Sequence, residues 1–277
     1  LGVIVVLAAG GSDVSFTALA ALTAYSLTLF VLNIAPGMPM AAVLAIAIIA
    51  GAMLGAINGL LVQYLQVAAL IVTIGTQYLF RGILLAFIGT VWLMELPPQM
   101  VAFGKAPLLD ITTANGAVAT LPVYFLIFSA AALLTAAIFN RTLMGRAIFA
   151  TGDSPQVASR LGYDRRIVHV FAYAGALAGL EGIVHVSANR MANPFDFAGT
   201  EIGVVAAVVL GGAPDHRRHR IGIGTVIGVL LIAVVNNVLV LVGTPSTSQR
   251  VVVGAFILLA AAFFVTRRRK TQSRTRK

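Results

Sequence analysis

The sequence predicts an all-α protein built as a polytopic bundle of transmembrane helices, and three observations support this prediction. Of its 277 residues, 59% are hydrophobic and only 10% are charged, whereas a soluble protein of this size is about one quarter charged. The mean hydropathy is +0.97. Apolar runs recur along the chain between short polar turns, and each crossing of a bilayer needs roughly 20 apolar residues.

These apolar runs predict the membrane helices in order along the chain. Residues 1–9 predict the end of a span that begins before the first residue of this sequence, and the polar segment 10–13 breaks it. Residues 201–212 are apolar but short for a crossing, and residues 91–116, with Trp92, Pro97 and Pro98, predict an interfacial loop. The full spans are predicted at residues 16–33, 40–62, 70–89, 117–139, 167–188, 221–242 and 251–265.

Positive charge predicts the orientation of these spans. Fifteen of the nineteen Lys and Arg residues lie in three hydrophilic segments, residues 140–166, 217–220 and 267–277. Alternation of the spans puts all three segments on one side, and excess Lys and Arg marks the cytoplasmic side. We therefore expect a cytoplasmic C-terminus. Because the net charge of +10 follows membrane boundaries, it does not indicate nucleic-acid binding.

Residues 140–166 form the longest polar segment between two predicted spans. Ser154 followed by Pro155 predicts the start of a short helix, and Gly162 predicts its end. A short basic helix on the cytoplasmic side predicts a docking surface for a partner.

Small and polar residues inside the spans indicate close packing and candidate chemistry. Glycines recur at four-residue spacing, which lets helix backbones approach closely in lipid. They are Gly51, Gly55 and Gly59, then Gly175 and Gly179, then Gly224 and Gly228. Polar groups at membrane depth are costly and mark candidate transport residues, although interhelical hydrogen bonds are the simpler interpretation. They are Asp13, Asn58, Thr73, Thr76, Gln77, Arg81, Glu181, His185, Asn236 and Asn237.

Motifs of soluble catalysis are absent from the sequence. It contains no G-x-x-x-x-G-K-[ST] loop, no H-E-x-x-H and no G-x-S-x-G. It has no cysteine, so it has no disulfide and no thiolate metal site. Few carboxylates lie inside spans, so coupling to protons has little support, and energy supplied by a partner is favoured. A proton- or ion-coupled secondary transporter is the alternative, and a membrane-bound enzyme is the least supported.

Several stretches of the chain carry a family resemblance when they are taken together. They are residues 10–22, 70–83, 142–163, 201–212 and 224–243. The most specific combination is Gly145-Arg146-xxx-Ala-x-Gly152, followed by Ala158-x-Arg160-Leu161-Gly162. In this combination the chain resembles the permease subunit of bacterial ATP-binding-cassette sugar importers of the ribose, xylose, rhamnose and autoinducer type. The resemblance implies about ten helices in the full protein, with the first and the start of the second missing here.

The resemblance also implies a division of labour in the bacterial inner membrane. Two permease subunits, identical or different, form the path through the lipid bilayer. A cytoplasmic ATPase, which carries the ATP and Mg²⁺, drives transport, and a periplasmic or lipid-anchored protein delivers a small neutral sugar. No cofactor is expected in this chain. Residues 1–277 would form one permease domain, with a coupling loop at 140–166 and a basic tail at 267–277.

The resemblance assigns two groups of site residues. The segment 154–162 would be the coupling helix seated on the ATPase. The ATPase-coupling residues are Gly145, Arg146, Gly152, Ser154, Ala158, Arg160, Leu161 and Gly162. The expected translocation path comprises Asp13, Asn58, Thr73, Thr76, Asn236 and Asn237.

The sequence departs from the family pattern at two places. Ser12 stands where the family usually has an apolar residue. Residues 213–220, with the sequence APDHRRHR, replace a glycine-rich turn, and the resemblance resumes at Gly224. A bounded substitution between matching flanks suggests a compensated frameshift in the gene, a hypothesis that rereading the DNA tests.

Overall fold

The computed structural model describes residues 1–112, 118–153, 166–211, 221–243, 245, 251–252 and 254–255. Among these residues, six helices are long and apolar enough to cross a membrane. The predicted fold class, a polytopic all-α membrane protein, is confirmed. The chain divides into two compact units, Leu1–Glu201 and Ile202–Lys277.

The first unit contains eight helices and one hairpin in the part of the chain that the structure describes. The helices are α1 (Gly2–Ala8), α2 (Phe16–Asn33), α3 (Met40–Leu65), α4 (Ala69–Ile83), α5 (Pro98–Lys105), α6 (Tyr124–Arg141), α7 (Leu143–Asp153) and α8 (Arg166–Asn189). One π-helical turn, Leu84–Ile88, extends α4. Strands β1 (Pro107–Thr112) and β2 (Val118–Pro122) pair antiparallel between α5 and α6. Helix α9 runs from Glu201 to Leu210, and α10 (Ile221–Leu241) lies in the second unit.

A break separates α1 from α2, as the polar segment 10–13 predicts. Gly10 adopts a φ of +80°, and a Cβ there would lie 3.1 Å from the Cα of Gly152. After the break, 67% of the residues in an apolar 18-residue window of α2 are buried, compared with 22% in such a window of α3 and 11% in that of α6. Helix α2 is therefore surrounded by protein, whereas α3 and α6 expose apolar side chains of the kind that face lipid.

Glycines bring α3 and α8 into close contact. A Cβ at Gly55 would meet the carbonyl oxygen of Phe171, and one at Gly51 would meet the carbonyl oxygen of Gly175. From the other side, a Cβ at Gly179 would meet the carbonyl oxygen of Ala47. The predicted role of these glycines in close helix packing is confirmed. In the second unit, Gly228 of α10 approaches α9 in the same way.

The segment between α4 and α6 differs from its prediction. Residues 91–116 were expected to be a loop, but they contain α5 and β1. The predicted span 117–139 starts at Tyr124 instead, because residues 118–122 pair with β1 and Pro122 ends that strand. Hydropathy alone cannot separate an apolar strand from the first turn of an apolar helix.

Several predicted features lie outside the described residues. These are the coupling helix 154–162, the basic cluster 217–220, most of the span 251–265 and the tail 267–277.

Candidate functional site

A buried carboxylate occupies the break between α1 and α2. Asp13 is 4% exposed, and its Oδ1 accepts hydrogen bonds from Ser15 N (2.8 Å) and from Ser15 Oγ (2.7 Å). Backbone N–H groups at a helix N-terminus lack partners within the helix and favour negative charge. Asp13 therefore stabilises the start of α2, and the two hydrogen bonds from Ser15 supply partners for its buried Oδ1.

Helix α3 contributes an amide that is joined to this carboxylate. Asn58 Nδ2 donates to Ser15 Oγ at 2.6 Å. Because the single hydroxyl proton of Ser15 is donated to Asp13, Ser15 can only accept from Asn58, so the amide oxygen points elsewhere. That oxygen is buried without a partner among the described residues. An unpaired buried acceptor costs about 1–3 kcal/mol, so the site is short of one hydrogen-bond donor.

Helix α4 presents three polar residues at four-residue spacing, which puts them on one helix face. They are Thr73, Gln77 and Arg81. Thr73 Oγ1 accepts from Val14 N at 3.4 Å and so contacts the break. Gln77 Nε2 donates to Glu201 Oε1 at 2.7 Å.

Glu201, the first residue of α9, is the second buried carboxylate of this region. It is 7% exposed, and its Oε1 also accepts from Thr17 Oγ1 at 2.8 Å. Glu201 therefore links α2 and α4 within the first unit. Two hydrogen-bonded groups thus lie around the start of α2: Asp13, Ser15 and Asn58 form one, and Thr17, Gln77 and Glu201 form the other. We call these six residues, together with Thr73 at the break, the polar core.

The composition of the polar core limits its chemistry. Its ionisable groups are two carboxylates, and the hydroxyl and amide groups that donate to them are neutral. No group of three or more His, Cys, Asp or Glu side chains able to hold a metal occurs in the described part of the chain. Such a set of acceptors is suited to bind the hydroxyl groups of a neutral solute.

The structure brings together only part of the predicted path. Asp13, Asn58 and Thr73 meet in the polar core. Thr76 is buried beside Thr73, but its hydroxyl donates to the carbonyl of Thr73. Asn236 and Asn237 lie on α10 in the second unit, where both are exposed, and Asn237 Nδ2 donates to Ala233 O at 3.0 Å.

Three members of the polar core were missed by sequence reasoning. Ser15 and Thr17 follow Asp13 at alternate positions, so the density of hydroxyl residues at the span entrance was an available signal. Glu201 is the first residue of the short apolar segment 201–212, where the sequence predicts no path residue. Its bond to Thr17 joins residues 184 positions apart, and no local pattern indicates such a pair.

Two glycines of the predicted coupling motif lie within the described residues, and both pack closely against neighbouring backbone. Gly145 fills the corner between α6 and α7, where a Cβ would meet the carbonyl oxygens of Ile138 and Phe139. Gly152 lies against the carbonyl oxygen of Ala8, at the end of α1. Arg146 is exposed on α7. The remaining members, Ser154, Ala158, Arg160, Leu161 and Gly162, lie outside the described residues.

Comparisons with known proteins match this chain to permease components of transport systems. A family model described as the permease component of branched-chain amino acid transport systems matches residues 1–261. The Autoinducer 2 import system permease protein LsrC of Escherichia coli O9:H4 (strain HS) is 31% identical over 248 residues, which cover 89% of this chain and 69% of that protein. The LsrC protein of Yersinia enterocolitica serotype O:8 is 30% identical over 248 residues, or 89% of this chain and 65% of the relative. No solved structure matches the chain.

Proposed function

The chain belongs to the permease-component family that matches residues 1–261, and from this premise we propose that it is the membrane-spanning subunit of an importer powered by ATP hydrolysis in a separate chain. A second permease subunit would complete the path, and a periplasmic or lipid-anchored protein would deliver the solute. The complex would lie in a bacterial inner membrane with the C-terminus of this chain in the cytoplasm. The buried polar core inside an otherwise apolar bundle is the observation that carries this proposal.

The solute would be a small neutral sugar of the pentose or deoxyhexose type. The family description names branched-chain amino acids, whose charged carboxylate requires a cation or an unused N–H group as its partner. The polar core instead offers the carboxylates of Asp13 and Glu201 and the unpaired amide oxygen of Asn58. These acceptors match sugar hydroxyls, whereas the carboxylate of an amino acid would find no cation or unused N–H group among the residues of the polar core.

Coupling to the ATPase would run through the segment 154–162, with Arg146 and Arg160 orienting the contact. Helix α7 leads directly into that segment, and its residue Gly152 contacts the end of α1 at Ala8 and Gly10. Movement of the coupling segment would therefore displace the break that carries Asp13. This route needs no cofactor in this chain, because ATP and Mg²⁺ would bind the partner.

A proton- or ion-coupled secondary transporter is the second candidate, and the two buried carboxylates favour it. Uptake into proteoliposomes separates the two candidates. We expect labelled ribose, xylose or rhamnose to enter only when a cassette ATPase, its binding protein and ATP are present. Uptake by this chain alone, driven by a proton or sodium gradient, would overturn the proposal.

The role of Asn58 is tested by replacing it with leucine of similar volume. Asn58→Leu removes an unpaired buried oxygen but also the hydrogen bond from Asn58 Nδ2 to Ser15 Oγ. Because these two effects oppose each other, we expect the free energy of unfolding to change by less than about 1 kcal/mol. We expect sugar uptake to fall at least about tenfold, because a single hydrogen bond to a transported hydroxyl contributes on this scale. Thermal unfolding in detergent and initial uptake rates measure the two effects.

Thr135→Val is the matched control for Asn58→Leu. Thr135 is also buried, but its hydroxyl bonds to Ala131 O of α6 and to Tyr173 Oη of α8, outside the polar core. This variant should lose about 1 kcal/mol of stability and keep its uptake rate. The assignment of Asn58 to the path is wrong if the two variants lose uptake equally.

A further inference from the structure

Residues 190–200, which we call the strap, connect α8 to α9 without regular structure. Arg190, Phe197 and Gly199 adopt positive φ values of 56°, 63° and 82°. Left-handed backbone at Arg190 and Phe197 is unfavourable for residues with side chains, so contacts outside the strap must hold its conformation. The strap follows the C-terminal end of α8, and the segment 154–162 precedes the N-terminal end of that helix.

Arg81 supplies the most extensive of these contacts. Its Nη1 donates to Pro194 O at 2.7 Å and to Asp196 O at 3.0 Å, and its Nη2 donates to Asp196 O at 3.0 Å. The planar guanidinium thus binds two carbonyl oxygens that no helix or strand uses. A lysine could not reproduce this fork, because its ammonium is a single point of donation.

The strap is also fixed near both of its ends. Leu93 and Ala192 exchange both backbone hydrogen bonds, at 2.9 Å and 3.0 Å. At the other end, Glu201 follows the strap directly and is bound by Gln77. Within the strap, the Asp196 carboxylate lies 3.5 Å from His185 Nε2, and the Phe197 ring packs on the His185 ring.

One face of α4 therefore contacts both the strap and the polar core. Thr73 contacts the break, Gln77 contacts Glu201, and Arg81 contacts the strap. We propose that the strap is the gate of the transport path on the side away from the coupling segment, and that Arg81 positions it in the closed state. This inference rests on the proposed function. Opening the gate requires Arg81 to release both carbonyl oxygens and Leu93 to separate from Ala192.

Thiol labelling tests the role of Arg81, because the native chain has no cysteine. Ala192 is fully buried, so the thiol in an Ala192→Cys variant reacts with a maleimide only when the strap opens. Adding Arg81→Met should raise the labelling rate at least about tenfold, because three charge-assisted bonds are lost. The labelling rate with Arg81→Lys should lie between the rate with the native Arg81 and the rate with Arg81→Met.

The equally buried Ser187 of α8 provides the matched control. In a Ser187→Cys background, Arg81→Met should leave the labelling rate unchanged. Equal acceleration at both positions would mean that Arg81 only stabilises the bundle, and no acceleration at Ala192→Cys would mean that it does not hold the strap. Either result overturns the proposal. Labelling requires neither sugar nor ATP, so this test does not depend on the proposed function.

A reversible cross-link tests whether the strap is a gate. Residues paired as Leu93 and Ala192 have Cα atoms about 5.5 Å apart, a separation that a disulfide can span. Oxidation of a Leu93→Cys/Ala192→Cys variant should stop ATP-driven sugar uptake, and a reductant should restore it. Uptake that continues at full rate in the oxidised protein would contradict the gate, even if Arg81 is confirmed to hold the strap.

Discussion

Replacing Gly55 with leucine should lower the free energy of unfolding strongly, because it disrupts the close packing of α3 on α8. The backbone of α8 occupies the space that a side chain at this position would need, and Gly175 Cα lies only 3.0 Å from the position of a Cβ. Either helix must shift along the whole contact between α3 and α8. Forcing extra atoms into a packed interior costs about 1–3 kcal/mol, and here the obstacle is backbone, so we expect about 3 kcal/mol.

Gly75→Leu is the control for this substitution. Gly75 lies on α4, and no atom outside the adjacent residues and the backbone of its own helix lies within 4 Å of the position that a Cβ would take. Leucine has a higher helix propensity than glycine, by roughly 0.8–1 kcal/mol, so this variant should be as stable as the native chain or slightly more stable. Thermal unfolding followed by size-exclusion chromatography in detergent measures both variants. Equal stability of Gly55→Leu and Gly75→Leu would disprove the close packing of α3 on α8.

The largest effect on transport is expected at Asp13. In Asp13→Ala, the N–H and hydroxyl of Ser15 lose their acceptor, and α2 loses the charge at its N-terminus. Loss of a helix cap costs about 0.5–2 kcal/mol. Since the carboxylate also belongs to the polar core, we expect sugar uptake to fall at least about 100-fold. This loss of uptake is larger than we expect from removing the N-terminal cap of a helix outside the polar core.

Asp13→Asn separates the two roles of this residue. Asparagine caps helices about as well as aspartate, so the thermal stability should stay near that of the native chain. Uptake should still fall about tenfold, because an amide is a weaker acceptor than a carboxylate for sugar hydroxyls. If Asp13→Asn transports at the native rate while Asp13→Ala unfolds, then Asp13 serves only to cap α2.

The long helices could be predicted from hydropathy because each consists of a continuous apolar run. Helix α2 has the predicted bounds. Helix α3 starts where predicted and ends at Leu65, three residues beyond the predicted end at residue 62. The resemblance to permease subunits, carried by motifs spread along the chain, is confirmed by the family match over residues 1–261. The β-hairpin before α6 was not predicted, because hydropathy does not distinguish the mainly apolar residues of β1 and β2 from those of a loop or a helix start.

The polar core could be predicted only in part. Asp13, Asn58 and Thr73 are conspicuous because each is polar within an apolar segment. The hydrogen bonds of Asn58 and Thr73 to Ser15 and Val14 depend on long-range packing, which brings the break against α3 and α4. Arg81 stands out as a cation inside a predicted span, but its partners are backbone carbonyls of the strap, which side-chain types do not reveal.

The central claim is that the polar core becomes the transport path during the ATP cycle, and the accessibility of one thiol tests it most directly. Ser15 is fully buried in the polar core, and Ser15→Cys is a nearly isosteric change. Ser187→Cys is the control, because Ser187 is equally buried but lies outside the polar core. Both variants would be reconstituted with the ATPase and binding protein and treated with a small hydrophilic thiol reagent.

We expect the thiol in Ser15→Cys to be unreactive without ATP and to react at least about tenfold faster during ATP turnover, as water and solute reach the opened path. The thiol in Ser187→Cys should stay unreactive in both conditions. If Ser15→Cys remains as unreactive as Ser187→Cys throughout turnover, the polar core is a structural element of the bundle and the sugar passes elsewhere.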